Sequence, residues 1–465
     1  MKIIILGAGN VGVELARYLV TAGHAVTLVD TPSEELSQVG SRLDLRVVQG
    51  NPSSPAVLRN AGAENTELLV AATSDDEVNI TACCIGAVLF RIPRKIARIR
   101  SAQYLQEQEA LFGEGGIPID HVISPEHIIT DNIIDLINLP GASAVASFCN
   151  DRLIIASARC ALGGKLIGRP LTDFDIYDST AAILALYRDG KIIKNFEKEK
   201  VVLRPGDEVF FCAERSHALS QLSALIPIER GGSNITISGG THIADELARR
   251  LSQRYNVKLI EPDNARSRRI VQRLHDTGVE IYNADPVNID FMMEEYLQRS
   301  DLFIAASATD ETNIMASLIL SRIHKVRTLV VIRGDGYFEL AASSRADIDT
   351  IVSPKDATVS ALLSEIRQEG VENMHLFRQG KSEAMELRVE GTKRSSNIVG
   401  RTAGSLNLPE GCSLGLVMRD RKFIVIRDDF VFEEGDHVIA FLDDHRMMRK
   451  LVKLFRPHSF WIPKW

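Results

Sequence analysis

The chain has 465 residues, 45% hydrophobic and 25% charged, an ordinary globular composition with room for three or four domains. Its formal net charge of −7 argues against a nucleic-acid binder and offers no overall polybasic pull towards anionic lipid. No apolar run approaches the roughly 20 residues that span a bilayer, the first apolar stretch is too short for a signal peptide, and the six cysteines form no CxxC pair and no Cys/His cluster at zinc spacing. They read as reduced, buried, small apolar residues of a cytosolic chain, or of one held at a membrane by a partner.

Residues 3–6 form a continuous apolar run, as in a buried parallel strand. A glycine turn follows, then a helix whose Val11, Leu15, Tyr18 and Leu19 share one face and which ends before Gly23. Strands are predicted at 25–29, 45–48, 68–72 and 95–100, with helices between them near 55–61 and 77–90. This alternation predicts a parallel sheet covered on both faces. Residues 125–139 carry more isoleucine than a one-sided surface helix needs, and read either as core or as a face packed on another subunit. Short strands follow at 152–158, 181–187, 191–193 and 209–212, with turns at Asp189-Gly190 and Pro205-Gly206-Asp207 and a closing helix at 216–225, a small α+β domain.

Residues 229–233 read as a linker, after which the order of landmarks repeats. Residues 2–19 (KIIILGAGNVGVELARYL) are answered by 234–251 (NITISGGTHIADELARRL). Gly50-Asn51-Pro52 is answered by Ala284-Asp285-Pro286, and ATSDDEVN at 72–79 by ASATDETN at 306–313. Arg98-Ile99-Arg100 corresponds to Val331-Ile332-Arg333, and Ser124-Pro125-Glu126 to Ser353-Pro354-Lys355. In the small domains, Pro205-Gly206-Asp207 corresponds to Glu434-Gly435-Asp436. The predicted fold is thus α/β: two Rossmann-like, doubly wound parallel-sheet domains at 1–140 and 233–370, each followed by a small α+β domain, at 150–228 and 374–456, with an aromatic tail at 457–465.

Gly7-Ala8-Gly9-Asn10-Val11-Gly12 fits GxGxxG. It follows a strand, opens a helix, and has Asp30 at the end of the next strand, 18 residues after Gly12. Gly7 permits the tight turn, Gly9 lets a diphosphate approach the backbone, and Gly12 lets helix and strand pack closely. The helix start offers N–H groups to phosphate. Asp30 accepts hydrogen bonds from ribose hydroxyls and repels a 2′-phosphate, which favours NAD(H) over NADP(H). Thr73 and Asn79 stand at the C-terminal edge of the sheet, where they line a ligand crevice, whereas Asp75, Asp76 and Glu77 read as helix-start acids. Arg98 and Arg100 lie on that edge and are read as turned to opposite sides, with Arg98 the phosphate-facing one and an ordinary ion pair as its alternative. In the second copy, Thr241 and Ala244 replace two of the glycines while Glu261 keeps the acidic ribose acceptor, so that site reads as weakened, altered or empty. The eleven histidines are scattered, His242 included, and no residue pattern supplies a proton donor or a Walker A loop. An NAD-dependent oxidoreductase and a soluble nucleotide sensor remain as rival readings.

These residues, GAGNVGxxLAxxL, the Asp30 strand end, GNPSSPAVLRNAG, ATSDDEVN and the paired half-chains, resemble the family of peripheral subunits of Trk potassium-uptake systems (TrkA). The resemblance covers essentially the whole chain. It implies two regulator-of-potassium-conductance (RCK) domains, each with a small ligand-binding domain. It also implies assembly into a dimeric or tetrameric ring on the cytosolic face of a membrane potassium transporter, and gating of ion flow by bound nucleotide, NAD(H) or else ATP/ADP. By the same resemblance, Gly7, Gly9, Asn10 and Gly12, with Val11 between them, form the phosphate loop. Asp30 is the ribose acceptor, Asn51 an adenine-side contact, Thr73 and Asn79 the post-strand edge, and Arg98 the phosphate-facing arginine. No catalytic residue, metal or nucleic acid is implied.

Overall fold

The structure, a computed structural model, describes every residue except 32–33, 172–179, 194–200, 229–231, 296, 344–346, 367–369 and 458–465. Most of the expected linker and all of the tail beyond Pro457 therefore lie outside the described residues.

The two halves repeat each other strand for strand. Lys2–Leu6 (β1), Ala25–Asp30 (β2), Arg46–Gln49 (β3), Leu68–Ala71 (β4), Arg94–Arg98 (β5) and His121–Ile123 (β6) form a sheet ordered β3-β2-β1-β4-β5-β6. Every pairing in it is parallel. The order reverses direction between β1 and β4, the switch point where doubly wound sheets bind ligands beyond the strand ends. Ala142–Phe148 (β7), Leu153–Arg159 (β8), Ala181–Arg188 (β9), Lys191–Ile192 (β10) and Glu208–Glu214 (β11) form an antiparallel sheet ordered β10-β9-β11-β8-β7. The second half gives the parallel sheet Asn234–Ser238 (β12), Asn256–Ile260 (β13), Glu280–Tyr282 (β14), Leu302–Ala305 (β15), Arg327–Val331 (β16) and Thr350–Val352 (β17), ordered β14-β13-β12-β15-β16-β17. Its small sheet contains Val371–Phe377 (β18), Ser382–Arg388 (β19), Cys412–Arg419 (β20), Lys422–Val425 (β21) and His437–Leu442 (β22), ordered β18-β19-β22-β20-β21.

The central strands are apolar without alternation because helices cover both faces. Ile3 through Leu6 and all of β4 are buried. In the first parallel domain Leu6, Val48, Leu69, Ala82, Ile92 and Ala97 belong to one buried cluster. Complete burial of a Leu or Ile contributes about 1.5–3 kcal/mol each.

Two expectations change. The first small sheet begins at Ala142, ahead of the expected boundary at 150, because β7 reads ASAVASF, too small and polar for its alternation to show. The second begins at Val371 rather than 374. The helix Pro125–Asn138 is core of this chain: Ile129, Thr130 and Ile133 are fully buried. Compactness also divides the chain differently from sequence order. One unit comprises residues 1–128, 355–383 and 444–454; the other comprises 129–354, 384–443 and 455–465. The crossover helix after each parallel domain thus belongs largely with the other half's domain. In the first unit Arg94 donates to the carbonyl of Glu365 at 2.5 Å, and Glu365 pairs with His121 at 2.8 Å. In the second, Asp131 pairs with Arg250 at 2.6 Å.

Candidate nucleotide-binding site

The first glycine loop is built as its spacing predicts. Gly7 sits at φ +106°, and a Cβ there would lie 2.8 Å from the carbonyl oxygen of Ala72. A Cβ on Gly12 would lie 1.9 Å from the carbonyl oxygen of Gly7, so only glycine lets the helix Asn10–Thr21 lean on the loop. Gly9 differs from both. It is exposed, it has ordinary φ of −71°, and a Cβ there would meet nothing within 4 Å. What Gly9 keeps clear is space outside the protein. It is also the N-cap of the helix and has no side chain to satisfy the first-turn N–H groups, which Asn10 and Val11 help present at a positive dipole end.

Asp30 closes one side of the loop. Its Oδ2 accepts the Ala8 N–H at 2.5 Å and its Oδ1 accepts the Thr31 N–H at 2.6 Å. Oδ1 also accepts from Thr31 Oγ1 at 3.2 Å, which leaves Oδ2 with lone-pair capacity for a hydroxyl donor. Asn51 is exposed beside Gly50, whose N–H bonds the Asp30 carbonyl, but its Oδ1 serves its own turn, accepting from Ser53 N at 2.9 Å and Ser53 Oγ at 2.8 Å.

The opposite edge is held by a latch. Asn79 is fully buried. Its Oδ1 accepts from Thr73 N at 3.0 Å and Thr73 Oγ1 at 2.7 Å, and its Nδ2 donates to the Arg98 carbonyl at 2.9 Å. Asn79 therefore does not line the crevice. It fixes Thr73 and the backbone of Arg98 at the C-terminal edge of the sheet. Asp75 caps the next helix by accepting from Val78 N at 2.8 Å, as a helix-start acid should. Asp76, by contrast, is buried and accepts the backbone N–H groups of Arg100 and Ser101, at 3.0 and 2.8 Å.

Arg98 and Arg100 do not divide by strand alternation, since residues two apart share a face; β5 ends at Arg98, and Arg100 lies in the loop beyond. Arg100 is the structural arginine, paired with Glu126 at 2.9 Å. The Nε of Arg98 is buried with no hydrogen-bond partner among the described residues. Burial, and then the neighbouring charge of Arg100, pulls its pKa below the usual guanidinium value. A half-buried cation with an unsatisfied donor at the switch-point edge favours an anion there.

The second copy repeats the frame and changes the groups at its edge. Gly239 takes φ +110°, and a Cβ there would lie 2.4 Å from Ser307 Cα. The latch recurs, with Asn313 accepting from Ser307 N at 2.8 Å and donating to the Val331 carbonyl at 3.0 Å. Thr241, however, donates to the Ala306 carbonyl at 2.7 Å and caps the helix His242–Leu251 by accepting from Ala244 N at 3.3 Å. Glu261 is buried, takes the Asp263 N–H at 2.8 Å and pairs with Arg266 at 3.2 Å. Its Oε2 lies 2.6 Å from where a Cβ of Gly240 would stand. Val331 occupies the place of Arg98. Glu261, the expected acidic ribose acceptor, thus holds Arg266 through Oε1, and valine stands where the first copy has Arg98.

Sequence reasoning also missed a contact behind the first site. Tyr18, on the helix Asn10–Thr21, donates to Glu383 Oε2 at 2.5 Å, while Glu383 Oε1 has no partner among the described residues. Met374 and Met448 sulfurs lie 2.9 and 2.8 Å from the same hydroxyl. Burial raises the Glu383 carboxyl to about 8, although the Tyr18 hydrogen bond works against the rise. The repeat could have flagged it, since the positions answering Tyr18 and Glu383 in the sister copies are Arg250 and Ile154.

Comparison with known proteins agrees with this architecture. Residues 3–125 and 235–354 match the TrkA-N domain, and residues 392–455 the TrkA-C domain. The chain is 40% identical over 464 residues to the Trk system potassium uptake protein TrkA of Haemophilus influenzae, covering 99% of this chain and 100% of that one. Among solved structures it is similar to the GsuK RCK domain, with TM-score 0.59, 18% identity, and coverage of 98% of this chain and 94% of that chain. It is also similar to the GsuK channel bound to NAD, with TM-score 0.59, 17% identity, and coverage of 98% and 78%. At those identities the structural likeness establishes the fold.

Proposed function

The chain belongs to the TrkA family, and we propose that it is the nucleotide-binding regulatory subunit of a Trk-type potassium uptake system. In this reading it acts from the cytosolic face on a membrane transporter subunit and assembles into a ring of copies. It regulates transport and catalyses no reaction. One observation carries the reading: two copies of one frame differ at the ligand edge, the first open with an unsatisfied Arg98, the second closed by Thr241, Arg266 and Val331.

A single adenine nucleotide binds per chain, on the first domain. Its phosphates take the N–H groups of the Gly7–Gly12 loop and the Arg98 guanidinium, and its ribose hydroxyls face Asp30. Asp30 disfavours a 2′-phosphate, so NAD(H) is the first candidate and ATP or ADP the second. The bound nucleotide supplies differential affinity between two conformations, the only way a ligand shifts such an equilibrium. The β5 strand links site to lever: Arg98 stands at its C-terminal end, and Arg94 at its other end holds the crossover helix Pro354–Glu365. Calorimetric titration with NADH, NAD, ATP and ADP, beside Asp30→Ala, tests the reading. One site per chain that weakens in the variant supports it. Two equal sites would refute the closed second loop, and no binding by any of the four would remove nucleotide control.

A further inference from the structure

Behind the first glycine loop lies a buried acid that the nucleotide reading does not use. Glu383, in β19, is fully buried. Its Oε2 accepts the Tyr18 hydroxyl, and Oε1 has no partner. Among the described residues no lysine, arginine or histidine pairs with it. The sulfurs of Met374 and Met448 stand against the same hydroxyl. An ionised carboxylate without a cation is costly in such a setting, so the group keeps its proton. Burial raises the carboxyl to about 8, against the Tyr18 hydrogen bond and with help from the charge of Asp444.

Each element packed here brings other titratable groups. On the helix Asn10–Thr21, Glu14 pairs with Arg17 at 3.1 Å. On β18, Glu372 shares the face of Met374, and desolvation pushes His375 down to about 4, which leaves it neutral at pH 7. Beyond β22, Asp444 pairs with Arg446 at 2.7 Å, and the His445 ring centre lies 6.4 Å from that of Tyr18. On the helix Met448–Phe455, Arg449 turns to the Val20 carbonyl at 3.4 Å.

Tyr18 joins the acid to the site. It stands in the last turn of the helix Asn10–Thr21, whose first turn presents its N–H groups at the glycine loop. A rigid element of 12 residues carries a displacement of one end to the other. An anion beside the last turn also opposes the helix dipole. The second copy lacks this arrangement: Arg250, answering Tyr18, makes a surface ion pair with Asp131 at 2.6 Å, and Ile154 answers Glu383. The buried acid accompanies the loop that keeps the full GxGxxG pattern, and not the altered one.

We propose that Glu383 is a proton-dependent positioning residue for the first nucleotide site. Its protonated carboxyl, through Tyr18, holds the helix Asn10–Thr21 in the orientation that grips phosphate, and nucleotide affinity falls when the proton leaves. The inference rests on the nucleotide-binding reading and adds its regulation by pH. Coupling is reciprocal, so bound nucleotide also tightens the hold on the proton.

The test titrates the purified full chain with NADH, whose diphosphate does not change charge in this range, at about pH 7 and about pH 9. Both lie above the ordinary histidine value of about 6.5. The affinity of the parent is expected to fall by about 5- to 10-fold. Between the two, binding takes up protons, read as an enthalpy that varies with the ionisation enthalpy of the buffer. Glu383→Gln, neutral throughout, should keep the higher affinity at both values. Tyr18→Phe, which cuts the link, should show the lower affinity at both. Equal affinity of the parent at the two values, or an enthalpy independent of buffer, would overturn the inference and leave the nucleotide reading intact. An unchanged fall in either variant would overturn it as well, by assigning the titration to another group. No NADH binding at either pH would remove the nucleotide reading, and this inference with it.

Discussion

Glu383→Gln tests whether a buried proton secures the phosphate-loop helix. The folded carboxyl, pushed up to about 8, is neutral across the range from 4.5 to 8, where the unfolded carboxylate is ionised. The unfolded chain then binds fewer protons, so the stability of this region falls as pH rises from 4.5, and the loss is complete above 8. The span is worth about 5 kcal/mol at most. Gln stays neutral throughout, keeps an oxygen for the Tyr18 hydroxyl, and matches Glu in volume. At pH 5 the variant should lie within about 1 kcal/mol of the parent. At pH 8.5 it should be the more stable, by several kcal/mol. A multidomain chain gives no single unfolding free energy, so the readout is amide hydrogen exchange of residues 10–21, with intrinsic exchange rates corrected for pH. Parallel pH profiles for parent and variant would refute the reasoning, because they would mean that Glu383 does not change protonation between the folded and open states.

Gly12→Ala should lower the thermal midpoint through overpacking of about 1–3 kcal/mol, since its Cβ falls on the Gly7 carbonyl. Gly9→Ala should keep the parent midpoint and lose nucleotide affinity, because its Cβ enters only open space; the pair separates fold from ligand in one melting and titration series. Arg98→Gln should weaken nucleotide binding by about 10- to 100-fold, the worth of one charge-assisted hydrogen bond, without lowering the thermal midpoint, and calorimetry reads it directly. Asp207→Asn should destabilise its small domain by about 1–3 kcal/mol: Asp207 is buried and receives Arg188 through two contacts of 2.8 Å, as Asp436 receives Arg419 at 2.7 Å. Chemical denaturation monitored by hydrogen exchange of β9 and β11 checks it.

Much of this molecule is local and therefore legible. An apolar run, three glycines and an acid at the next strand end specify a strand, a tight turn and a helix start by backbone sterics alone, and the repeat then gives the second half. The sequence also singled out Arg98 and the departure of the Thr241 loop from the glycine pattern. What it left open depends on which polar groups meet once the chain is folded. Asn79 reads as a ligand contact until its amide is found buried against Thr73 and the Arg98 carbonyl. Glu261 reads as a ribose acceptor until Arg266 is seen on it. The isoleucines of 125–139 announce burial without naming what covers them. Glu383, an acid inside a strand, has no sequence signal of its own. The pattern of polar and apolar residues determined which elements form and where a phosphate could meet a helix. Only tertiary structure decided which polar groups are already satisfied, because a side-chain hydrogen bond, whether it joins residues six or several hundred positions apart, leaves no trace in local periodicity.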